Sequence, residues 1–535
     1  MHPIDAIVFI LYMLAMLGMG YYFFRRNKGS EDYYVGGRNM SSLHVGLSVV
    51  ATDVGGGFSI GLGGVGFLIG MSGSWMLFTG LLGAWISAVL LIPKVRASRF
   101  GNFTTFPQIF KVIFSPRVAL LAGLFSGIGY IGFTSSQIRA GAKLASNTLD
   151  GLTEPYAIVI MGVIAVLYTF MGGLKAVIYT DTVQWIILMV GLIFIGLPLG
   201  FWEVGGWEGI QEVVGPEFLS LGNIRWQDLV NWGIVIIPIW FVGMTLYQRI
   251  YACRDVKVAK RAWFMAGLFE WPIMAFMGVG LGLLGRVAAE QGLFADMIAG
   301  VGSMDPEDGL PLLLKQVLPP GLMGLMLSAY LSAILSTADS CLMASSGNFA
   351  SDISAPLFRL DEKKRSFLWL SQGLTLGLGI VAVLTAMSFK NVLSLMFLSY
   401  SFMVSGLLIP LLGGLLFNMR NPRGAIASMI LGGGTTAILQ SWRLNPNKGS
   451  LSPERLQAIK ERFSAPMNRI LEDRPPVDEL AHSPELARAI EGAQLLHSEH
   501  LQLSFQLPLG LHPNLFGIGL SLLIFLVMGR NARKS

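Results

Sequence analysis

Charge is what this sequence has least of. Of 535 residues, only 13% are Asp, Glu, Lys or Arg, where soluble domains carry about 25%. Hydrophobic residues make up 53% and the mean hydropathy is +0.61. So much apolar surface cannot be hidden in one globular core, so lipid must be the solvent for a large part of the chain. Cysteine is scarce too. Cys253 and Cys341 are the only two, they lie in or beside apolar segments, and their spacing suits neither a disulfide framework nor a metal site. The six histidines show no metal-ligand spacing. No nucleophile–base set or metal cluster is visible in the polar stretches, so an enzyme is not expected. A net charge of +6 and a pI near 9.2 would admit nucleic acid as a partner. The distribution excludes it, because Lys and Arg sit in short loops between apolar segments, where they set membrane orientation.

What is there instead is a series of long apolar runs. Segments of about twenty apolar residues can cross a bilayer, and about thirteen are legible. They run 4–24, 43–70, 72–93, 117–139, 156–172, 178–201, 229–248, 260–286, 317–350, 366–387, 391–417, 424–441 and 513–529. The first has no basic region before it and no small-residue cleavage site after it, so residues 1–28 read as a retained N-terminal transmembrane helix. Alternate loops are basic: Arg25, Arg26 and Lys28; Lys94, Arg96 and Arg99; Arg249, Arg254, Lys257, Lys260 and Arg261; Lys363, Lys364 and Arg365; Arg420 and Arg423; Arg530, Arg533 and Lys534. The loops between them are poor in Lys and Arg, and the larger ones carry acids such as Glu203, Glu208, Glu212 and Glu217. By the positive-inside rule the N-terminus lies outside and the C-terminus in the cytoplasm. The expected location is the cell (inner) membrane.

One stretch breaks the pattern. Residues 442–512, between span 12 (424–441) and the final span and cytoplasmic tail (513–535), form a polar insertion on the outer side. Ser452-Pro453-Glu454 and Ser483-Pro484-Glu485 both read as helix starts, with an N-cap serine and proline at N1.

Polar groups within the spans need a reason, since each costs free energy unless satisfied. The second span contains Ala51-Thr52-Asp53-Val54-Gly55-Gly56-Gly57. Three consecutive glycines weaken a helix by about 1 kcal/mol each relative to alanine. Unwinding there would free backbone carbonyls for a cation beside an intramembrane carboxylate. Close helix packing accounts for Gly61, Gly63, Gly64 and Gly66 but not for Asp53. The match of Gly61–Gly66 to a dinucleotide fingerprint is rejected, because no strand precedes it and it lies within a span. In the ninth span Ala333 and Ser336 share a helix face, with Thr337 next to it. A lone hydroxyl there would bond its own backbone; two, followed by Asp339 and Ser340, suit a hard cation such as sodium. Asp181, opening the sixth span, reads equally as a charge favouring the helix dipole or as part of an ion exit route.

At these residues the chain resembles the sodium:solute symporter family. Three blocks carry the resemblance: Ala51 to Gly57; Gly172-Gly173-Leu174-Lys175-Ala176-Val177-Ile178-Tyr179-Thr180-Asp181-Thr182-Val183-Gln184; and Leu331 to Ser340. The Gln248-Arg249 pair ending the seventh span also fits. The resemblance covers about residues 5 to 440 and implies an all-α membrane protein with two inverted five-helix repeats of the leucine-transporter type, residues 43–201 (spans 2–6) and 229–417 (spans 7–11). It implies a Na+ site made of the carbonyls of Ala51, Val54 and Ala333 and the hydroxyls of Ser336 and Thr337, with Asp181 linked to sodium release. Asp53 matches the proline-transporting branch.

The implied function is secondary active, sodium-coupled symport of a small organic solute into the cell by alternating access. The amino acid, amine/betaine and sugar classes stay open. Solute sites of such folds lie at helix breaks near the midplane, which makes Asp53, Phe58, Trp75, Trp240, Thr245, Tyr400 and Ser401 the expected lining. Asp53 with aromatics suits an amine-bearing or zwitterionic solute; alternatively Asp53 only tunes sodium binding. Two other readings stay open: proton coupling through Asp53 or Asp181, and a membrane solute sensor acting through a separate partner, since no cytoplasmic output domain is expected in the tail.

Overall fold

In a computed structural model, the protein is described at residues 2–24, 35–97, 100, 103–149, 151–171, 174–295, 304–362, 364–444 and 507–531. Among the described residues it is all-helical, with no strands. The main helices are α1 (Pro3–Phe24), α2 (Ser42–Ile69), α3 (Trp75–Leu90), α4 (Pro116–Thr148), α5 (Glu154–Met171), α6 (Leu174–Gly191), α7 (Trp226–Val242), α8 (Met244–Ala252), α9 (Val256–Leu268), α10 (Ala275–Glu290), α11 (Leu322–Gly347), α12 (Arg365–Ser388), α13 (Val392–Leu416), α14 (Pro422–Leu444) and α15 (Pro513–Asn531).

Each of the thirteen apolar runs falls on one of these helices or on a consecutive pair, except that the run 178–201 continues past α6 through Leu192–Gly196 and Leu197–Glu203. Seven described stretches are long and apolar enough to cross a membrane by themselves, or eight if α7 and α8, bent by 44°, count as one. Pro3–Met16, Glu154–Leu167 and Pro513–Met528 are shorter apolar helices.

Local sequence explains the helix starts. Ser41 accepts the His44 N–H at α2, Ser115 accepts the Val118 N–H at α4, and Asp255 accepts the Val258 N–H at α9 at 2.8 Å. Each occupies an orphan donor of the first turn.

The chain divides into two units: residues 1–434 with 514–535, and residues 435–513. In the first, α4 packs along α11 and α13, and α2 packs along α9, α10 and α6. Close approach is what the glycines provide. A Cβ at Gly282 of α10 would lie 2.0 Å from the Gly63 carbonyl oxygen of α2. The most apolar window is 94% buried in Leu322–Phe358 but 28% buried in Trp369–Ser388. That puts α11 at the centre and α12 against lipid. The second unit is described at its ends, the last turns of α14 and the short turn Pro508–Gly510. The two helices expected within 442–512 lie outside the described residues.

Candidate ion and solute site

The helix break comes first, because it frees the carbonyls. Within α2, Gly55 takes φ +41° and ψ −157°, a conformation that strains any residue with a Cβ. The polar groups around the break are satisfied from α4 and from within α2 itself. Gly56 N–H donates to the Gln137 Oε1 of α4 at 2.7 Å, and Ser59 Oγ donates to the Gly55 carbonyl.

Opposite the break stands α11. Thr337 Oγ1 lies 3.3 Å from the Ala51 carbonyl oxygen and 3.1 Å from that of Ala333. Ser336 Oγ lies 3.2 Å from the same Ala333 oxygen. Four of the five expected ligand positions are therefore together: Ala51, Ala333, Ser336 and Thr337. The side chains of Val54 and Phe58 are outside the described residues. A cavity of about 20 Å³ borders Ala51, Gly55, Ser59 and Ala333, enough for one water-sized particle.

Asp181 of α6 is joined to the same face. Ser336 Oγ donates to its Oδ1 at 2.6 Å, and Ser48 Oγ donates to its Oδ2. Arg249 of α8 pairs with Oδ2 at 3.2 Å, and both side chains are fully buried. The guanidinium also donates to Ser48 Oγ (3.0 Å), the Thr245 carbonyl (3.3 Å), Ser340 Oγ (3.2 Å) and Thr52 Oγ1. A planar fork with five donors can do this where lysine cannot. One buried ion pair thus ties α2, α6, α8 and α11 together. A buried charge left without its partner costs about 3–5 kcal/mol, so the four helices are held as a set.

The expected solute-lining residues are spread over a larger volume. Thr245 Oγ1 is 3.0 Å from the Tyr130 hydroxyl. Tyr400 packs edge-on against Phe133, with centroids 4.9 Å apart, and Ser401 Oγ is buried without a hydrogen-bond partner among the described residues. Trp240 is fully buried beside Trp263, with centroids 6.2 Å apart. Trp75 donates to the Leu221 carbonyl at 2.9 Å and stacks with Trp271 at 6.3 Å, with Phe78 edge-on to both. Asp53 is 5% exposed, and it lies near the fully buried Glu270.

Glu270 was not singled out from the sequence, and neither was Gln137; Arg249 counted there as a loop charge and a motif residue. The signal for Glu270 was present, as an acid within the apolar run 260–286 followed at once by Trp271-Pro272.

A family model described as the sodium:solute symporter family matches residues 33–432. The high-affinity proline transporter PutP of Bacillus subtilis (strain 168) is 29% identical over 436 residues, covering 79% of this chain and 89% of its own. The sodium/proline symporter of Escherichia coli (strain K12) is 26% identical, covering 81% and 87%. Sodium/glucose cotransporter 1 of Oryctolagus cuniculus is 28% identical, covering 65% of this chain and 58% of its own. Among solved structures, the substrate-bound outward-open state of a Na+-coupled sialic acid symporter superposes with a TM-score of 0.69 at 22% identity, covering 82% and 92%. That likeness establishes the fold.

Proposed function

The chain belongs to the sodium:solute symporter family, and on that premise we propose which of its residues carry the coupled movement of sodium and a small organic solute. Sodium is held by the carbonyls of Ala51, Val54 and Ala333 and the hydroxyls of Ser336 and Thr337. The observation that carries this assignment is Thr337 Oγ1 standing within 3.3 Å of a carbonyl on α2 and 3.1 Å of one on α11, beside a break that frees further carbonyls. Hard cations take oxygen ligands of this kind.

Residues 43–201 and 229–417 are the two inverted repeats. The placement of the breaks supports this division. The first helix of one is interrupted at Gly55, and the first helix of the other is bent by 44° between α7 and α8. Interrupted helices in corresponding positions mark the binding site of such transporters. The charge pattern supports thirteen crossings with the N-terminus outside and the C-terminus in the cytoplasm.

Sodium entering from outside ties α2 to α11 and completes the solute site beside the break. Rocking of one helix group against the other then exposes both ligands to the cytoplasm. An inward-negative potential supplies about 2.3 kcal/mol per charge per 100 mV. Asp181 gives the ion a way out, since Ser336 already reaches its carboxylate. The solute is a small nitrogen-bearing molecule, in keeping with the proline transporters among the relatives.

The test is uptake into proteoliposomes under an inward sodium gradient, with labelled proline, glycine betaine, choline and glucose. The reading expects sodium-dependent accumulation of at least one nitrogen-bearing solute, abolished when sodium is replaced by potassium. Uptake that persists without sodium and collapses with the pH gradient would establish proton coupling instead.

A further inference from the structure

A second cavity, of about 210 Å³, lies where α1 and α11 both begin. It has room for several waters or for one small polar group. His2, Asp5, Thr148 and Lys315 supply its polar lining, and Leu318 and Leu327 belong to its apolar lining. Lys315 stands on the short helix Gly309–Val317.

The polar lining divides by chemistry. Asp5 is 4% exposed. Its Oδ1 accepts the Gly321 N–H at 2.7 Å and the Gly324 N–H at 2.8 Å, and no donor among the described residues reaches its Oδ2. Thr148 Oγ1 gives its hydrogen to the Leu144 carbonyl at 2.6 Å, so it can meet a ligand only as an acceptor. These two suit a cationic donor. The other two suit an anion. His2 Nδ1 accepts the Ile4 N–H at 3.3 Å, which places the proton of the neutral ring on Nε2, and Lys315 brings an ammonium.

Beside the cavity, α1 carries an apolar stripe. Ile4, Ile7, Leu11 and Leu14 are exposed, and their spacing puts them on one side of the helix. The other side, with Tyr12 and Met16, packs against Ala329 of α11. A Cβ at Gly321 would lie 3.5 Å from Ile4 Cγ2, so the stripe starts next to the residues that Asp5 caps. From there it runs about 15 Å along α1.

We propose that this cavity holds the headgroup of a membrane phospholipid bearing both a phosphate and an ammonium, of the phosphoethanolamine type. The phosphate takes the donors of Lys315 and His2. The ammonium takes Asp5 and Thr148, and the acyl chains lie along the stripe on α1. Charge complementarity sets the headgroup chemistry, since a group with one charge would leave half of the polar lining unmatched. The stripe sets the source, since a soluble phosphoethanolamine would leave it unused. Apolar spans begin at headgroup depth, and α1 and α11 both begin here. The lipid site is independent of the sodium and solute assignments, and its failure would leave them untouched.

The test is the melting temperature of purified full-length protein in mixed micelles, titrated with dioleoylphosphatidylethanolamine, dioleoylphosphatidylglycerol or free phosphoethanolamine. The glycerol headgroup keeps the phosphate and lacks the ammonium. Wild type should respond to the ethanolamine lipid at a lower mole fraction than to the glycerol lipid, and free phosphoethanolamine should have no effect at matched concentration. Lys315→Ala should raise the half-saturating mole fraction of both lipids by about tenfold or more, as the loss of a charged hydrogen-bond partner does. Asp5→Asn keeps an acceptor for the Gly321 and Gly324 N–H groups and loses the charge, so the preference for the ethanolamine lipid should vanish. Equal responses to the two lipids in wild type, an unchanged lipid response in Lys315→Ala, or a preference retained in Asp5→Asn overturns the proposal. Free phosphoethanolamine as effective as the lipid overturns the lipid as the source. Should Asp5→Asn fail to fold, wild type and Lys315→Ala decide the matter with the same three probes.

Discussion

Gly55→Ala probes the break in α2 with a single methyl group. At φ +41° and ψ −157° an L residue is strained by about 1–3 kcal/mol. The new Cβ would also lie 2.8 Å from Gln137 Oε1, 2.9 Å from Thr337 Cγ2 and 3.1 Å from Thr337 Oγ1. Such crowding costs about 1–3 kcal/mol more, for a total of roughly 2–6 kcal/mol. The clash falls on the hydroxyl assigned to sodium, so stability and ion binding should suffer together. The assay is melting temperature as a function of sodium concentration at constant ionic strength. Gly55→Ala should melt lower and need more sodium for half of its stabilisation. Gly377→Ala is the control, because its Cβ meets nothing within 4 Å and alanine is the better helix former by about 1 kcal/mol. A Gly55→Ala protein with wild-type melting and a wild-type sodium titration would refute the reasoning.

Other outcomes follow from the same geometry. Arg249→Met should destabilise by about 3–5 kcal/mol, since it strands the Asp181 carboxylate; Asp181→Asn added to it should restore part of the loss, read by melting in detergent. Lys143 bridges Asp305 at 2.6 Å and Glu307 at 2.8 Å, and Glu307 also accepts the Val392 and Leu393 N–H groups that start α13. Lys143→Met should therefore cost about 3 kcal/mol, the lower end for a broken buried pair, with earlier proteolysis of the 304–308 segment. Asp308, in that segment outside the spans, has its pKa pushed up to about 6 by burial, against the opposing pull of Lys143. Its neutral form is favoured by folding, so its contribution is complete below about pH 4 and fades as pH rises through 6. Wild-type melting should decline across that window more steeply than that of Asp308→Asn.

Hydropathy placed the apolar helices well, because lipid solvation acts on average composition. The break at Gly55 was legible because three glycines in a row weaken a helix whatever surrounds them. Ser336 and Thr337 were legible because hydroxyls within an apolar run need partners. Arg249 was misjudged because it ends an apolar run, where a cytoplasmic loop charge and a buried ion-pair partner look the same in one dimension. Glu270 was lost in the average over residues 260–286, although a single acid at membrane depth is costly enough to demand a reason. Its proximity to Asp53 joins positions more than two hundred residues apart, and nothing local in either segment encodes it.

The account rests most directly on sodium meeting Thr337 and Ser336. The measurement is the sodium-concentration dependence of melting for wild type, Ser336→Ala, Thr337→Ala and the double variant, with potassium as the replacement ion. The account predicts stabilisation by sodium and not potassium, a half-saturating concentration raised in each single variant, and loss of the sodium effect in the double variant. A double variant that keeps the wild-type sodium dependence would contradict it.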